Sequence, residues 1–341
     1  MKKLISILMV VAMLMTVLAS CGDSANTGST ASTESAAEKT TVKLATLAGP
    51  TGMGMSYMLD GSDNGTTLNK YQYDVCSGPD QITGKIVSGE YDIAALPTNA
   101  AATLYNKTKG KVQMLALNTL GVLYVLEKGD SINTVADLKG KTVYVSGQGA
   151  TPEYALTYLL EANGLKVGTD VTLDFTYAAH ADLVAFAATG AADVVLLPEP
   201  TVTALLSKNS EMRVALNLND VWSDAVKDTD NADSVMSMGC VVVNTEFAKA
   251  NPQAVKDFMT DYEASAAKVN EDHAAASEVI ANLGITQAAG VALKALPRCN
   301  IVCITGEEMK NMVTPFFEVL YNANADSVGG AMPDDQLYYI G

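Results

Sequence analysis

A pattern repeated at an offset of 101 residues most constrains what this chain can fold into. The first copy opens with Val42-Lys43-Leu44-Ala45-Thr46, a short alternating strand. A Gly-rich loop follows, Gly49-Pro50-Thr51-Gly52-Met53-Gly54, and then an apolar helical stretch from Met55. The second copy opens with Val143-Tyr144-Val145-Ser146, continues through Gly147-Gln148-Gly149-Ala150-Thr151, and starts its helix at Pro152. The later half of each copy keeps the offset. Ile82 to Ser88 is a helical stretch ended by Gly89, and Leu183 to Thr189 is one ended by Gly190. Each then enters an apolar run, Asp92-Ile93-Ala94-Ala95-Leu96-Pro97 and Asp193-Val194-Val195-Leu196-Leu197-Pro198. Glycine supplies the left-handed position that ends a helix. The continuous apolar run reads as a buried parallel strand, and proline stops it because it cannot donate to the ladder. Any α/β chain has strand–helix units of similar length, but an offset shared at both ends of the unit argues for duplication. The expected fold class is α/β: two similar lobes, each around a central sheet.

Gln113 to Asn118 and Gly121 to Leu126 form a long apolar stretch between the copies, read as a strand crossing from lobe to lobe. Met236 to Asn244 reads as the return crossing. Lobe 1 is then expected at 41–120 plus 245–341, with lobe 2 at 121–244 including both hinge strands. Thr151 is placed to cap the helix from Pro152, with Leu156, Leu159 and Leu160 on its apolar face. Asn251-Pro252 opens a helix carrying Val255, Phe258, Met259 and Tyr262, and the largely helical remainder should pack back on lobe 1.

The N-terminus supplies an address. Met1-Lys2-Lys3 precedes an apolar run from Leu4 to Leu18, then Ala19-Ser20-Cys21. Basic residues, an apolar stretch and small residues before a cysteine make an export signal over residues 1–20. The cysteine at the cut resembles a bacterial lipobox, whose thiol takes a diacylglyceryl group. Two acyl chains hold a protein at a bilayer where one holds it only marginally. Residues 21–40 are mostly Ser, Thr, Ala and Gly with no large apolar residue, a flexible tether. Removing residues 1–20 takes two of 22 basic residues and none of 38 acidic ones, moving the formal charge from −16 to −18. Such an acidic surface disfavours nucleic acid and anionic headgroups. The expected location is extracytoplasmic, with the bilayer touched only through Cys21. No second apolar run of membrane-spanning length follows. Cysteines 76, 240, 299 and 303 lack a CxxC pair, and His180 and His273 are far apart, so neither a metal nor a cofactor is expected. Cys299 and Cys303 either pair or are small buried thiols.

Two α/β lobes joined by two crossing strands, on a lipid tether, resemble the solute-binding lipoproteins of ABC importers. The resemblance covers essentially the whole mature chain. It is carried by Asp137-Leu138-Lys139-Gly140-Lys141 leading into Val143-Tyr144-Val145, and by Val241-Val242-Val243-Asn244 with Phe247 and Asn251-Pro252. More narrowly, the chain looks like the branch of nitrate-, taurine-, alkanesulfonate- and thiamine-pyrimidine-precursor-binding proteins, of periplasmic-binding-protein type II-like fold. The resemblance implies a non-enzymatic monomer that closes on a small solute and presents it to ABC permease subunits.

In an open parallel sheet the ligand sits outside the carboxyl ends of the strands. That rule selects loops 48–54, 97–99, 147–152 and 197–200, two from each lobe across a cleft. Pro50, Thr51, Gly52 and Met53 come from the first loop, Thr98 and Asn99 from the second, and Gln148, Gly149 and Thr151 from the third. The Gly-rich loops open helices, where backbone N–H groups receive a carboxylate, sulfonate or phosphate-like group; equally, the glycines only allow tight turns. Glu199 either favours an amine or ring N–H on a ligand or complements a helix dipole. Tyr124 is placed on the cleft floor. Arg213 and Arg298 are the only arginines, and Arg298 is either a ligand clamp or a structural ion pair. Their scarcity argues for a larger organic ligand, a sulfonate, a carboxylate or a heterocycle, over a small anion such as nitrate. Two rivals are a pyrimidine-precursor-type enzyme of the same fold and a surface adhesin. No GxSxG, HExxH or Cys/His pairing supports the first, and no all-β repeat supports the second.

Overall fold

Both strand–helix patterns take their expected form in the computed structural model, which describes residues 39–341. The expected signal segment, Cys21 and all of the tether but its last two residues lie outside the described residues. The first copy builds strand β1 (Thr41–Leu47), a helical turn α1 (Pro50–Met53), α2 (Ser56–Asp63), β2 (Lys70–Cys76), α3 (Asp80–Ser88), β3 (Ile93–Pro97), α4 (Thr98–Thr108) and β4 (Val112–Leu120). The second builds β5 (Leu123–Lys128), β6 (Thr142–Val145), α5 (Thr151–Ala162), β7 (Thr172–Asp174), α6 (His180–Ala188), β8 (Val194–Pro198), α7 (Thr201–Lys208), β9 (Met212–Asn217) and α8 (Leu218–Val226). The chain then runs through β10 (Ser237–Asn244), α9 (Thr245–Ala250), α10 (Pro252–Glu271), α11 (His273–Asn282), α12 (Ala289–Ala295), β11 (Ile301–Thr305) and α13 (Gly306–Ala323).

The two sheets have one design. The first is ordered β11-β4-β10-β3-β1-β2 and the second β7-β6-β8-β5-β9. In each, the repeat supplies three parallel strands, β2-β1-β3 and β7-β6-β8, and the next strand is antiparallel, β10 in one and β5 in the other. Gly89 and Gly190 both adopt φ 81°, the left-handed geometry that ends α3 and follows α6. Strands β3 and β8 are buried except at their closing prolines.

Four expectations change in detail. The sequence pattern places the return strand in lobe 2, within 121–244, but β10 is hydrogen-bonded between β3 and β4 of the first sheet. Its backbone pairs on both sides with first-lobe strands, so the chain has already re-entered that sheet when β10 begins. The crossing stretch is two strands rather than one, because β4 and β5 belong to different sheets and part at Gly121-Val122. Thr151 does not cap α5. Ala150 occupies the cap with no side-chain bond, and Glu153 turns back to accept from the Gly149 N–H at 2.6 Å. The C-terminal remainder is not confined to lobe 1. Helices α10, α11 and α12 bury Val255, Phe258, Tyr262, Ile280 and Ala292 with Leu44 and Met58 of the first lobe. Helix α13 crosses over instead: Phe316 meets Trp222 of α8 edge-on at 5.4 Å, and the Val235 N–H donates to the Met312 carbonyl at 3.0 Å. One apolar cluster therefore runs from Ala94 and Leu117 through Phe316 to Leu156 and Trp222. Cysteines 76, 240, 299 and 303 are free.

Candidate functional site

The carboxyl ends of the parallel strands of both sheets face one another. After β1 the chain turns at Gly49, whose φ of 92° is open to glycine, and a methyl built there would stand 3.9 Å from Pro200 Cδ at the end of β8. Asn99 at the start of α4 and Gly149 before α5 line one cavity of about 530 Å³, with Pro79, Asp80 and Lys107. The edges of both lobes thus converge on a shared opening.

Loop 48–54 is locked from below. The Asn118 side chain on β4 donates to the Thr51 carbonyl at 3.0 Å. The Gly52 N–H donates to the Gly49 carbonyl at 3.0 Å, and a Cβ on Gly52 would lie 2.2 Å from the Leu47 carbonyl oxygen. Only glycine fits that turn. Pro50 and Thr51 remain half-buried at its surface, whereas Met53 is fully enclosed in the first lobe's core. Met53 was expected in the site; its place on the inner side of α1 makes it a packing residue.

The second lobe opposes this with its own turn. Gln148 and Gly149 are exposed, and Thr151 is buried in the first turn of α5. Ser146, at the end of β6, is wholly buried, and its Oγ lies 2.6 Å from His180 Nδ1. His180 opens α6 and is exposed. The protein packed around it nevertheless lowers its pKa below the ordinary histidine value by disfavouring the charged ring.

Four other expected contacts are spent on the protein itself. The Thr98 hydroxyl lies 2.8 Å from Ser237 Oγ with no exposure. Tyr124, 3% exposed, donates its hydroxyl to the Arg298 carbonyl at 2.8 Å. Burial raises its pKa, with the Glu199 carboxylate acting the same way. Glu199 accepts from Arg298 Nε at 2.5 Å, from the Thr203 N–H at 3.1 Å and from Thr203 Oγ1 at 3.1 Å. Burial pushes the Glu199 carboxyl up, and Arg298 and Thr203 pull it back. A carboxylate already holding a guanidinium is not free to choose an amine. Of the two readings of Arg298, the geometry gives the ion pair.

Of the expected site residues, Asn99 and Gly149 line the cavity; Pro50 and Thr51 are half-buried, Gln148 is exposed and Thr151 is buried. His180, bonded to the Ser146 hydroxyl that the sequence already offers as a donor, and the Pro79-Asp80 turn are additions. The repeat held the signal for them: position 79 maps to 180 at the same offset, after the second strand of each sheet. No group of His, Cys, Asp and Glu among the described residues is placed to hold a metal ion.

A duplicated pair of α/β lobes around a cleft at the strand ends is the fold of type II periplasmic solute-binding proteins. The sequence matches the family model described as "ABC transporter, phosphonate, periplasmic substrate-binding protein" over residues 69–294, and the chain belongs to that family. The fold is similar to the crystal structure of an ABC transporter from Parabacteroides distasonis, 25% identical with a TM-score of 0.74, covering 88% of this chain and 99% of that one. It is similar to the periplasmic aliphatic sulphonate binding protein SsuA from Escherichia coli, 16% identical with a TM-score of 0.65 over 88% and 92%. The periplasmic nitrate-binding protein NrtA from Synechocystis aligns with a TM-score of 0.52 at 14% identity over 76% and 69%. No curated protein matches the sequence significantly. The chain is a substrate-binding component of an ABC importer, a solute carrier rather than an enzyme, from an extracytoplasmic family. None of the described helices is long and apolar enough to cross a membrane.

Proposed function

We propose that this protein is tethered by a lipid on Cys21 and captures, as a monomer, a small organic solute bearing one acidic group. The cleft between 41–120 plus 245–341 and the intervening lobe receives it, with β10 counted to the first lobe. The observation that carries the reading is the convergence of Asn99 and Gly149, from the two halves of the repeat, on one cavity. Arg298 is committed to Glu199, so the cavity wall offers one cation, Lys107, and neutral donors meet the rest of the acidic group. Thr51, Asn99 and Gln148 supply side-chain donors, the turns of 48–54 and 147–152 supply N–H groups, and His180 adds a ring nitrogen. Neutral donors in a partly dry cleft favour a phosphonate, sulfonate or carboxylate on an apolar or heterocyclic body over a bare inorganic ion. The neighbours' named ligands, a sulphonate and nitrate, lie in the same chemical range.

A thermal-shift series with methylphosphonate, 2-aminoethylphosphonate, ethanesulfonate, propionate and nitrate tests this. A ligand that binds only the folded form raises the unfolding midpoint in a concentration-dependent way. The expected result is a saturable rise with an organic acid, reduced at least tenfold in affinity by Thr51→Val with Gln148→Ala. A rise with nitrate alone contradicts the proposed solute class, and an unchanged affinity in the double variant contradicts the site.

A further inference from the structure

The turn at 296–300 joins the lobes without a covalent bond. It lies between α12 and β11, so it belongs to the first lobe. From it, Arg298 Nε reaches Glu199 at the end of β8, and Nη2 donates to Thr203 Oγ1 on α7 at 2.8 Å and to the Lys294 carbonyl at 3.2 Å. The Arg298 carbonyl holds the Tyr124 hydroxyl of β5. Two residues on, Asn300 Nδ2 donates to the Gly121 carbonyl at 2.5 Å, and the Leu120 N–H donates to the Asn300 carbonyl at 3.1 Å. Two residues of this turn, Arg298 and Asn300, thus grip the end of β4, the crossing at Gly121, and β5, β8 and α7 of the second lobe.

The carboxylate is dry and its partner half-buried: the Glu199 side chain has no exposure and that of Arg298 has 29%. Pulling Arg298 away would strand a buried carboxylate with only Thr203 as partner, which is costly in a low-dielectric site. The guanidinium has three bonds of fixed direction, so the pair sets an angle as well as a distance. A contact this directional, at the crossing rather than at the open edge, restrains rotation between the lobes.

We infer that Arg298 and Glu199 form a latch that fixes the angle between the two lobes on the hinge side of the cleft. The inference needs only the two-lobe fold and stands whether or not the proposed solute class is right.

Pulsed electron–electron resonance on solute-free protein tests it. Spin labels go on Gly84→Cys in α3 and Ala185→Cys in α6, one exposed site per lobe, in a Cys21→Ser, Cys303→Ser background. The wild-type latch is expected to give one narrow distance distribution. Arg298→Met should broaden it or move its mean by more than the wild-type width, and Glu199→Gln should do the same. If Arg298→Met does not fold, Arg298→Lys, which keeps the charge and loses the fork, should show part of the broadening. Distributions superimposable on the wild type in a folded Arg298 or Glu199 variant would overturn the latch.

Discussion

Glu127 on β5 shows how single residues hold this molecule together. Its carboxylate is almost wholly buried and accepts from the Ile132 N–H at 2.9 Å and from the Ser131 N–H and Oγ at 3.1 and 3.0 Å. Arg213 closes the cage with a charged bond to the same carboxylate. Burial alone would raise this carboxyl, but those donors and Arg213 outweigh it and hold it below the usual range. The unfolded chain therefore takes up the proton first as pH falls, and stability from this group is lost below the ordinary glutamate value of about 4.3. Glu127→Gln should cost about 2 kcal/mol at pH 7, and urea denaturation should show the gap to wild type narrowing as pH falls below the ordinary glutamate range. A gap independent of pH would show that the charge is not what matters. Such pairings are hard to read from sequence. Glu127 and Arg213 lie far apart in the chain, as do Glu199 and Arg298, and neither pair carries a local spacing signal. The glycines of the turns were legible because a left-handed φ leaves few other choices.

Helix α13 is the element that most changes the expected picture. Its apolar face carries Met309, Val313, Phe316, Phe317 and Leu320, all buried. The periodicity announces such a face but not the surface it meets. Strand β11, which launches the helix from the edge of the first sheet, was hidden in a short run, Ile301-Val302-Cys303-Ile304, that helical neighbours disguised. By contrast, the parallel strands were plain, because buried strands need unbroken apolar runs and their closing prolines mark the ends. Phe316→Ala should destabilise the protein by about 3–5 kcal/mol through the cavity it leaves. Trp222 is the only tryptophan, so its emission reports on the same contact. The variant should shift that emission to the red in the folded state; an unchanged spectrum would mean that α13 does not pack on the second lobe.

At the scale of the molecule, duplication gives two similar sheets, and the chain passes between them at β4–β5 and α8–β10. The offset made the lobes and four of their loops legible from sequence. The angle between the lobes and the closeness of Gly49 to Pro200 were not, since they depend on contacts between distant segments. A second hollow of about 640 Å³ lies away from the cleft, between α10 and the C-terminal residues, lined by Met259, Cys303 and Tyr339. It is the natural rival site, and one measurement separates the two. Hydrogen–deuterium exchange with and without 2-aminoethylphosphonate or ethanesulfonate, whichever raises the unfolding midpoint, should show protection at 48–54 and 97–103 together with 147–154 and 198–203. Both lobes must respond at once, because the cleft is made by both. Protection confined to one lobe, or centred on Pro252–Glu271 and residues 338–341, would contradict the account.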